Sequence, residues 1–481
     1  MAKLWIDGKW QGGGSRRDLI APFDGRKLGQ VEQADAAQVE SAIQAAVAAF
    51  PRLRETSRYL RSRLLSEIAA GIQARKSDLV SVMVGEAGKP RQLAEGEIGR
   101  AVNTFTIAAE EAKRFGGQQI PIDIEPAGRA YWPVITQPTP RGPILAIAPF
   151  NFPLNLVAHK VAPALAVGAP VVVKPPPQAP GAACILAEVF EAALGRVGDD
   201  REKIPPAALQ IIHAANDVIA PAVTDPRLPI LSFTGSDRVG WMLAEKAYRK
   251  KVCLELGGNA AVIVHADADL ARAAARCAYG AFAYAGQICI SVQRVFVHQS
   301  VAREFQDLFL SEIAQLPTGD PAQSDTLVGP MIDAAVADRT LAWIDEAKRA
   351  GAKVLAGGTR QGNVLAPTVL TQVKPDQKVC TEEVFAPLAV LVPYADLEDA
   401  IQGVNDSRFG LQAGIFTESM KDSRRAMEGM NVGGVIINEV PTYRADNMPY
   451  GGVKDSGNCR EGVAFAMQEY CDLKTIVQWR G

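Results

Sequence analysis

The sequence predicts an α/β protein with parallel sheets, divided into two or more domains. From position 144 onward, short apolar runs alternate with helical stretches, beginning with a run over 144–148, a helix near 154–168 and a second run over 170–174. Such alternation is typical of parallel strands joined by crossover helices. The chain has 481 residues, which is longer than one ordinary hydrophobic core requires.

Apolar residues at spacings of three and four predict a helical layer before position 118. Its helices are expected near 35–50, 57–75 and 92–115. Beyond position 174 the pattern predicts strands near 208–213, 230–233, 252–256, 261–265, 292–298, 388–393, 414–417 and 433–438, and helices near 180–194, 237–248, 270–284, 302–316 and 334–350. The expected domain boundary is the seam at Gly257-Gly258.

Two segments fit neither layer. Residues 122–139 carry Tyr131-Trp132 and several prolines, a composition that suits an edge strand or hairpin. The tail over 472–479 alternates like a strand. We expect these two segments to be exchanged between subunits. A surface hairpin and a frayed terminus are the alternative.

The composition favours small-molecule chemistry. With 51 basic and 53 acidic side chains the net charge is -2, so the protein lacks the positive field that attracts nucleic acid or anionic membranes. No run approaches the roughly 20 apolar residues that span a bilayer. Residues 1–14 lack the pattern of a signal peptide. We therefore expect a cytoplasmic protein with neither a nucleic-acid nor a membrane partner.

The cysteines and histidines do not predict a metal site. The 7 cysteines are odd in number and contain no C-x-x-C pair, which argues against a disulfide framework and a structural zinc site. The 4 histidines are scattered along the chain. We expect no bound metal.

Cys289 and Glu255 are the most informative pair of residues. A thiol that attacks a carbonyl carbon, and a carboxylate that later activates water, would together convert an aldehyde into an acid. Taken alone, however, a cysteine in apolar surroundings is more often a small buried hydrophobe. Only the neighbouring motifs can distinguish a reactive Cys289 from a structural one.

Several polar residues are expected at the carboxyl ends of strands, where ligands bind to open α/β sheets. Asn151 follows the first predicted strand and Lys174 ends the next. The turn with Gly235 and Ser236, followed by Gly240, permits close approach of a ligand to the backbone and offers helix amides to an anion. Any one of these turns could equally be a simple helix cap.

Taken together, these segments resemble the aldehyde dehydrogenase superfamily along most of the chain. The branch that they resemble most contains lactaldehyde, semialdehyde and phosphonoacetaldehyde dehydrogenases. The matching motifs, in chain order, are Pro149-Phe150-Asn151-Phe152-Pro153, Lys174-Pro175, Phe233-Thr234-Gly235-Ser236, Glu255-Leu256-Gly257-Gly258, Gly286-Gln287-Ile288-Cys289, Glu382-Glu383-Val384-Phe385-Ala386-Pro387 and Pro449-Tyr450-Gly451-Gly452-Val453-Lys454-Asp455-Ser456-Gly457.

The resemblance implies an NAD(P)-dependent enzyme that oxidises an aldehyde to a carboxylic acid. Cys289 would attack the aldehyde, and its backbone N–H and the Asn151 amide would stabilise the oxyanion. Glu255 would activate the water that hydrolyses the resulting thioester. The family's fold would combine a Rossmann-type cofactor domain over 1–121 and 142–256 with an α/β catalytic domain over 257–440. Residues 122–141 and 460–481 would form a β arm and strand that build a homodimer or homotetramer.

The same resemblance implies the residues that contact NAD or NADP. Lys174 and Glu383 would position the ribose rings, and Phe385 would pack near the nicotinamide. The remaining contacts would come from the turn and helix under the pyrophosphate and from neighbouring motif residues, namely Gly235, Ser236, Gly240, Phe150, Leu256 and Gly257.

One departure from the family pattern bears on the cofactor. Many members that prefer NAD carry a glutamate three residues after the lysine, where it accepts hydrogen bonds from ribose hydroxyls. Here this position is Pro177, which neither accepts such side-chain bonds nor repels a 2′-phosphate. Our hypothesis is that NADP is tolerated or preferred, with Lys174 near the phosphate.

The substrate is predicted only as a class. Candidate pocket residues are Phe152, Ile288, Ile290, Tyr443 and Arg444. An inward Arg444 would bind an anionic group on a short aldehyde, whereas an exposed arginine is the alternative. Two other functions stay open: a coenzyme-A-acylating dehydrogenase and a non-catalytic, crystallin-like protein.

Overall fold

The computed structural model describes residues 2–199 and 201–481. It begins with two hairpins that the sequence did not predict, because their strands are short and β3 is largely polar. These four strands are β1 (Leu4–Ile6), β2 (Lys9–Gln11), β3 (Ser15–Ile20) and β4 (Lys27–Gln33). Across the second hairpin, Arg17 pairs with Val31 and Arg16 pairs with Glu32.

A helical layer follows, as predicted; its first helix packs directly on the first sheet, and the other three pack on the helices Asn155–Val167 and Gly181–Leu194 that cover that sheet. It consists of α1 (Ala36–Glu55), α2 (Arg58–Ala74), α3 (Lys76–Ala87) and α4 (Arg91–Arg114). Asp35 begins α1 with a capping box, and the Ser57 hydroxyl caps α2. Only α3 was not predicted. Leu64, Ile68 and Phe105 are fully buried in the core between this layer and the sheet.

The first sheet has seven strands in the order β11-β10-β7-β8-β9-β1-β2. Strands β7 to β11 are mutually parallel, which confirms the predicted α/β class, while β1 pairs antiparallel with β9. This part of the chain comprises β5 (Gln119–Ile120), β6 (Val134–Pro140), β7 (Ile144–Ile147), α5 (Asn155–Val167), β8 (Val171–Lys174), α6 (Gly181–Leu194), β9 (Leu209–Ile211), α7 (Asn216–Thr224), β10 (Ile230–Thr234), α8 (Asp237–Lys246) and β11 (Lys251–Glu255).

The second sheet also has seven strands, in the order β14-β17-β18-β13-β12-β20-β21. All its pairs are parallel except β14 with β17. The elements from here to the end of the chain are β12 (Ala260–Val264), α9 (Leu270–Phe282), β13 (Val292–His298), α10 (Ala302–Ala314), α11 (Ala334–Arg349), β14 (Lys353–Ala356), β15 (Arg360–Gln361), β16 (Val364–Leu365), β17 (Thr368–Thr371), α12 (Lys378–Thr381), β18 (Leu388–Tyr394), α13 (Leu397–Asn405), β19 (Phe409–Gly410), β20 (Gln412–Phe416), α14 (Met420–Gly429), β21 (Gly434–Ile437), β22 (Val453–Lys454), α15 (Val463–Glu469) and β23 (Cys471–Ile476).

A separate three-stranded sheet joins the two segments that fitted neither layer. Its order is β23-β6-β5, and β23 pairs with β6 from Cys471 opposite Pro140 to Ile476 opposite Ile135. Large apolar side chains are exposed on and beside this sheet, namely Ile120, Ile124, Tyr131, Trp132, Ile135, Leu473, Ile476, Val477 and Trp479.

The topology creates a crevice at the carboxyl ends of the first sheet. The chain runs from β7 to β8 on one side, whereas β10 lies on the other side of β7, so the connections leave in opposite directions. The carboxyl end of β11 then leads directly into the second sheet through Gly257-Gly258. Among the described residues, no helix is long and apolar enough to cross a membrane.

Candidate active site

A left-handed turn positions Cys289. Helix α9 ends at Phe282, two residues before the predicted end, because Tyr284, Ala285 and Gly286 all have positive φ angles of 53–67°. For residues other than glycine this conformation costs about 1–2 kcal/mol each. The Tyr284 hydroxyl holds the turn by donating to the Ala87 carbonyl at 3.2 Å. A Cβ on Gly286 would lie 2.3 Å from a backbone oxygen, so no larger residue fits there.

The Cys289 thiol contacts the hydroxyl of Tyr450. The Sγ and Oη atoms are 2.8 Å apart, and the Arg444 guanidinium lies 3.8 Å from the centre of the Tyr450 ring. Burial and the Glu255 carboxylate raise the pKa of the thiol well above its usual value, while Tyr450 and Arg444 oppose this shift. Tyr450 lies in one of the motifs that resemble the family, but the sequence alone predicted no role for it.

Glu255 ends β11 and is buried. Its strand end is held by the C-terminal motif: the Leu256 N–H donates to the Ser456 carbonyl, and Gly457 forms a β-bridge with Glu255. Burial, followed by the nearby Glu461 carboxylate, raises the pKa of Glu255 to about 8. Its Oε1 atom has no hydrogen-bond partner among the described residues.

A buried ion pair fixes Asn151 beside Cys289. The Asn151 side-chain amide donates to the Gln287 carbonyl at 3.1 Å. Lys89 donates to the Asn151 carbonyl at 2.8 Å and to the Glu97 carboxylate at 2.6 Å. The Lys89 ammonium also lies 3.4 Å from the ring centre of Phe152. The sequence gave no signal for Lys89 or Glu97.

A second network of charges lies behind Glu255. Glu461 accepts from Arg444 at 2.9 Å and pairs with Lys160 at 3.4 Å, and Lys160 donates to the Thr234 hydroxyl at 2.7 Å. Burial opposes ionisation of Glu461, but Lys160 and Arg444 lower its pKa to about 2. Glu461 is therefore anionic at neutral pH and disfavours a second negative charge on Glu255.

Cys289 lies where two cavities meet. The cavity on the side of the first sheet has a volume of about 230 Å³. Most of the predicted cofactor residues line it, together with Asn151 and Glu255; they are Phe150, Gly235, Ser236, Leu256, Gly257, Glu383 and Phe385. The Phe150 and Phe385 rings meet edge to face with centroids 6.1 Å apart.

The residues of this cavity fit a bound dinucleotide. The Gly258 N–H holds Glu383 Oε1 at 3.1 Å, and a Cβ on Gly257 would lie 2.3 Å from Glu383 Oε2. Gly257 therefore leaves room for a carboxylate suited to ribose hydroxyls. The first turn of α8 follows Ser236, so its free amides suit an anionic pyrophosphate. When bound, NAD(P)+ would supply the hydride acceptor.

Two predicted cofactor residues lie outside this lining. Gly240 is on α8, where a Cβ would lie 2.4 Å from the Leu256 side chain, so its smallness allows the helix to pack on the strand end. Lys174 ends β8, is 7% exposed and forms no side-chain hydrogen bond with the described residues.

The other cavity, of about 470 Å³, contains most of the predicted substrate residues. Phe152, Ile288, Ile290 and Arg444 line it with Cys289, Tyr450 and several further residues, namely Lys89, Gln92, Arg100, Tyr279, Tyr284 and Thr442. Tyr443 does not: its side chain is 55% exposed, and the adjacent Thr442 lines the cavity instead. The turn after Pro441 directs these neighbours to opposite sides. No metal-binding cluster of His, Cys, Asp and Glu occurs within the described part of the chain.

The contact between Tyr450 and Cys289 can be tested by thiol reactivity. Against a thiolate, the tyrosine hydroxyl donates the hydrogen bond, and such bonds to charged groups contribute about 1.5–3 kcal/mol. Tyr450→Phe should therefore slow iodoacetamide labelling of Cys289 by about tenfold or more at pH 8, as followed by peptide mass spectrometry. Tyr279→Phe, in the same cavity, is the control. Equal labelling rates in the two variants would contradict the assigned contact.

Comparison with known proteins identifies the family. Residues 10–476 match the model of the Aldehyde dehydrogenase family. The 3-sulfolactaldehyde dehydrogenase of Priestia megaterium is 38% identical over 98% of this chain and 97% of its own length. The lactaldehyde dehydrogenase of Methanocaldococcus jannaschii is 35% identical, with coverage of 98% and 99%.

Solved structures agree with this assignment. Aldehyde dehydrogenase 21 of Physcomitrella patens, in complex with the reaction product succinate, superposes with a TM-score of 0.95 at 37% identity, covering 99% of this chain and 98% of that one. The glyceraldehyde-3-phosphate dehydrogenase GapN of Methanocaldococcus jannaschii, complexed with NADP, gives 0.92 at 34% identity, with coverage of 97% and 100%. The chain belongs to the aldehyde dehydrogenase family and is an NAD(P)-dependent enzyme that oxidises aldehydes.

Proposed function

We propose that Cys289 forms a covalent bond with the aldehyde carbon and that this enzyme releases a free carboxylic acid. The observation that carries the proposal is the position of the Cys289 sulfur, which lies on the boundary between the two cavities. A substrate in one cavity and a cofactor in the other would meet beside it. Attack of the thiolate converts the carbonyl into a thiohemiacetal with an oxyanion.

Asn151 and the backbone of Cys289 are the proposed oxyanion donors. The Asn151 amide is held by the Gln287 carbonyl through one of its N–H groups, so the other remains for the oxyanion. Its orientation is set before substrate binds, because Lys89 also fixes its backbone. Removal of one such donor typically raises the barrier by about 2.7–4 kcal/mol.

Glu255 is the proposed general base. After oxidation the thioester on Cys289 requires a nucleophilic water, and the free Oε1 atom of Glu255 is available to accept its proton. A carboxylate with a pKa of about 8 is a stronger base than an ordinary glutamate, so it suits this role near neutral pH.

Glu255→Gln should separate the two halves of the reaction. We expect rapid formation of about one NAD(P)H per active site, followed by steady-state turnover lowered about 10²- to 10⁴-fold, because hydrolysis loses its base. In the wild type, the hydrolysis rate should rise with pH through about 8, as Glu255 loses its proton. Stopped-flow absorbance of NAD(P)H measures both phases.

Cys289→Ala is the control for this experiment and should abolish the burst as well as turnover. A Glu255→Gln enzyme with unimpaired turnover would contradict the assigned base. Wild-type turnover that requires coenzyme A would instead favour the acyl-transferring alternative.

A short anionic aldehyde is the proposed substrate class. Arg100 and Arg444 both line the larger cavity. Arg444 is buried and its charge is already neutralised by the ion pair with Glu461. Arg100 pairs with Asp446 at 2.8 Å yet keeps 29% of its side chain exposed, so it can contact an anionic group directly. The sulfonate and carboxylate compounds in the names of similar proteins support this class.

Arg100→Gln tests the substrate class without leaving Glu461 unpaired. We expect KM for a four-carbon aldehyde with a terminal carboxylate to rise about 10- to 100-fold, because a hydrogen bond to a charged group contributes about 1.5–3 kcal/mol. KM for butanal should change little. Arg91→Gln, at the exposed start of the same helix, is the control. Equal effects on both aldehydes would rule out recognition of the anion by Arg100.

NADP is the proposed preferred cofactor. Pro177 removes the carboxylate that would repel a 2′-phosphate, and Lys174 lies at the end of the adjacent strand without a side-chain partner among the described residues. The NADP complex of the similar GapN protein is consistent with this preference. The ratio of kcat/KM for the two cofactors measures it, and a large preference for NAD would contradict it.

The exposed face of the three-stranded sheet is proposed to join subunits into a homodimer or homotetramer. Leu473 and Trp479 on the tail, and Trp132 beside β6, are exposed apolar side chains on one small sheet. Such patches mark interaction surfaces. Leu473→Asp should shift the enzyme toward monomers in sedimentation velocity, whereas Gln478→Asp adds the same charge at a polar position and should not. An unchanged sedimentation coefficient for Leu473→Asp would contradict this interface.

A further inference from the structure

The unpredicted hairpin β3–β4 directs Arg17 toward the loop after β8. Arg17 pairs across the hairpin with Val31, which is fully buried, and lies on the same face as the buried Leu19. This face packs against the body of the protein at Leu19, while Arg17 itself remains exposed. The Arg17 guanidinium donates a hydrogen bond to the carbonyl oxygen of Pro177. An N-terminal strand thus contacts the loop in which the family's adenosine-ribose glutamate is replaced by proline.

Arg17 brings a second cation close to Lys174. Pro177 lies three residues after Lys174, so the hydrogen bond from Arg17 to the Pro177 carbonyl brings the guanidinium near the Lys174 ammonium. Burial, followed by this positive charge, lowers the pKa of Lys174. Across the ranges 2–199 and 201–481 neither side chain forms an ion pair with a carboxylate. His213 is close to both, but burial lowers its pKa to about 4, and it is neutral at physiological pH.

The neighbouring Arg16 shows the ordinary arrangement for this hairpin. Its side chain lies on the opposite face and pairs with the buried Glu32 carboxylate at 2.9 Å. Arg17 lacks such a compensating anion. Partial burial lowers the pKa of its guanidinium. Two neighbouring cations without a carboxylate repel each other, and a bound dianion relieves this repulsion.

We propose that Arg17 and Lys174 together bind the 2′-phosphate of NADP. Arg17 is then a determinant of cofactor specificity. This inference rests on the proposed preference for NADP. Two charged donors, one on a strand end and one anchored to the loop carbonyl, match the oxygens of a phosphate monoester. The 2′-hydroxyl of NAD offers no charge to either group, so the contribution of Arg17 is specific to the phosphate.

The alternative is that Arg17 only anchors the loop through the Pro177 carbonyl. In that case its loss would loosen the adenosine site and weaken both cofactors alike. Binding of 2′,5′-ADP and of 5′-ADP to the full-length enzyme, measured by isothermal titration calorimetry, distinguishes the two roles. The variants are Arg17→Gln and the matched control Arg16→Gln, with KM for NADP and NAD measured in parallel.

We expect Arg17→Gln to weaken binding of 2′,5′-ADP and to raise KM for NADP by roughly 10- to 100-fold, as for loss of a charged hydrogen bond. Binding of 5′-ADP and KM for NAD should stay within about twofold, and Arg16→Gln should affect no ligand selectively. Parallel losses for both ligands, or no loss, would overturn the role of Arg17. Wild-type enzyme that binds 2′,5′-ADP no more tightly than 5′-ADP would instead overturn the cofactor preference itself.

Discussion

The left-handed turn at 284–286 is the constraint on which the site depends. It stops α9 and directs the following residues so that Cys289 lies between the two cavities. The conformation is unfavourable for Tyr284 and Ala285, and the surrounding contacts compensate. Tyr284 is anchored to the end of α3, and Gln287 bonds to the Tyr284 and Pro330 carbonyls. Strain of this kind persists only where packing over-determines the backbone.

Electrostatics then decides the resting state of the reacting groups. Glu255 is buried and Cys289 is half-buried beside it, so ionisation of one disfavours ionisation of the other. Glu461 strengthens this effect, whereas Arg444 and Tyr450 favour the thiolate. Charges this deep in the protein interact more strongly than they would in water.

Candidate site residues could be predicted from the sequence where they lie in contiguous motifs. Residues that only the fold brings together could not. Cys289, Glu255 and Asn151 could be proposed as site residues because each lies in a recognisable segment at the end of a strand or turn. Tyr450 lies 161 positions from Cys289, so its hydroxyl contact needed the tertiary structure. Arg17 was missed because the polar strand β3 has no hydrophobic alternation.

Other differences have equally local causes. Lys160 could have been identified from the sequence, because it is the only charged residue in the apolar helix α5. Whether Tyr443 or Thr442 lines the larger cavity depends on the direction of a loop, which hydrophobic periodicity does not predict. The parallel sheets themselves were predictable, because their buried strands are short apolar runs separated by helices.

The segment 456–458 closes the edge of the first sheet. Strand β11 is the outermost strand, and its outer backbone groups would otherwise be unpaired. The Asn458 N–H donates to the Leu254 carbonyl, and the Asn458 side-chain oxygen accepts from the Leu254 N–H. Gly457 forms a β-bridge with Glu255. Open sheet edges are templates for aggregation. The contacts that bury the Glu255 carboxylate therefore also block this sheet edge from pairing with other chains.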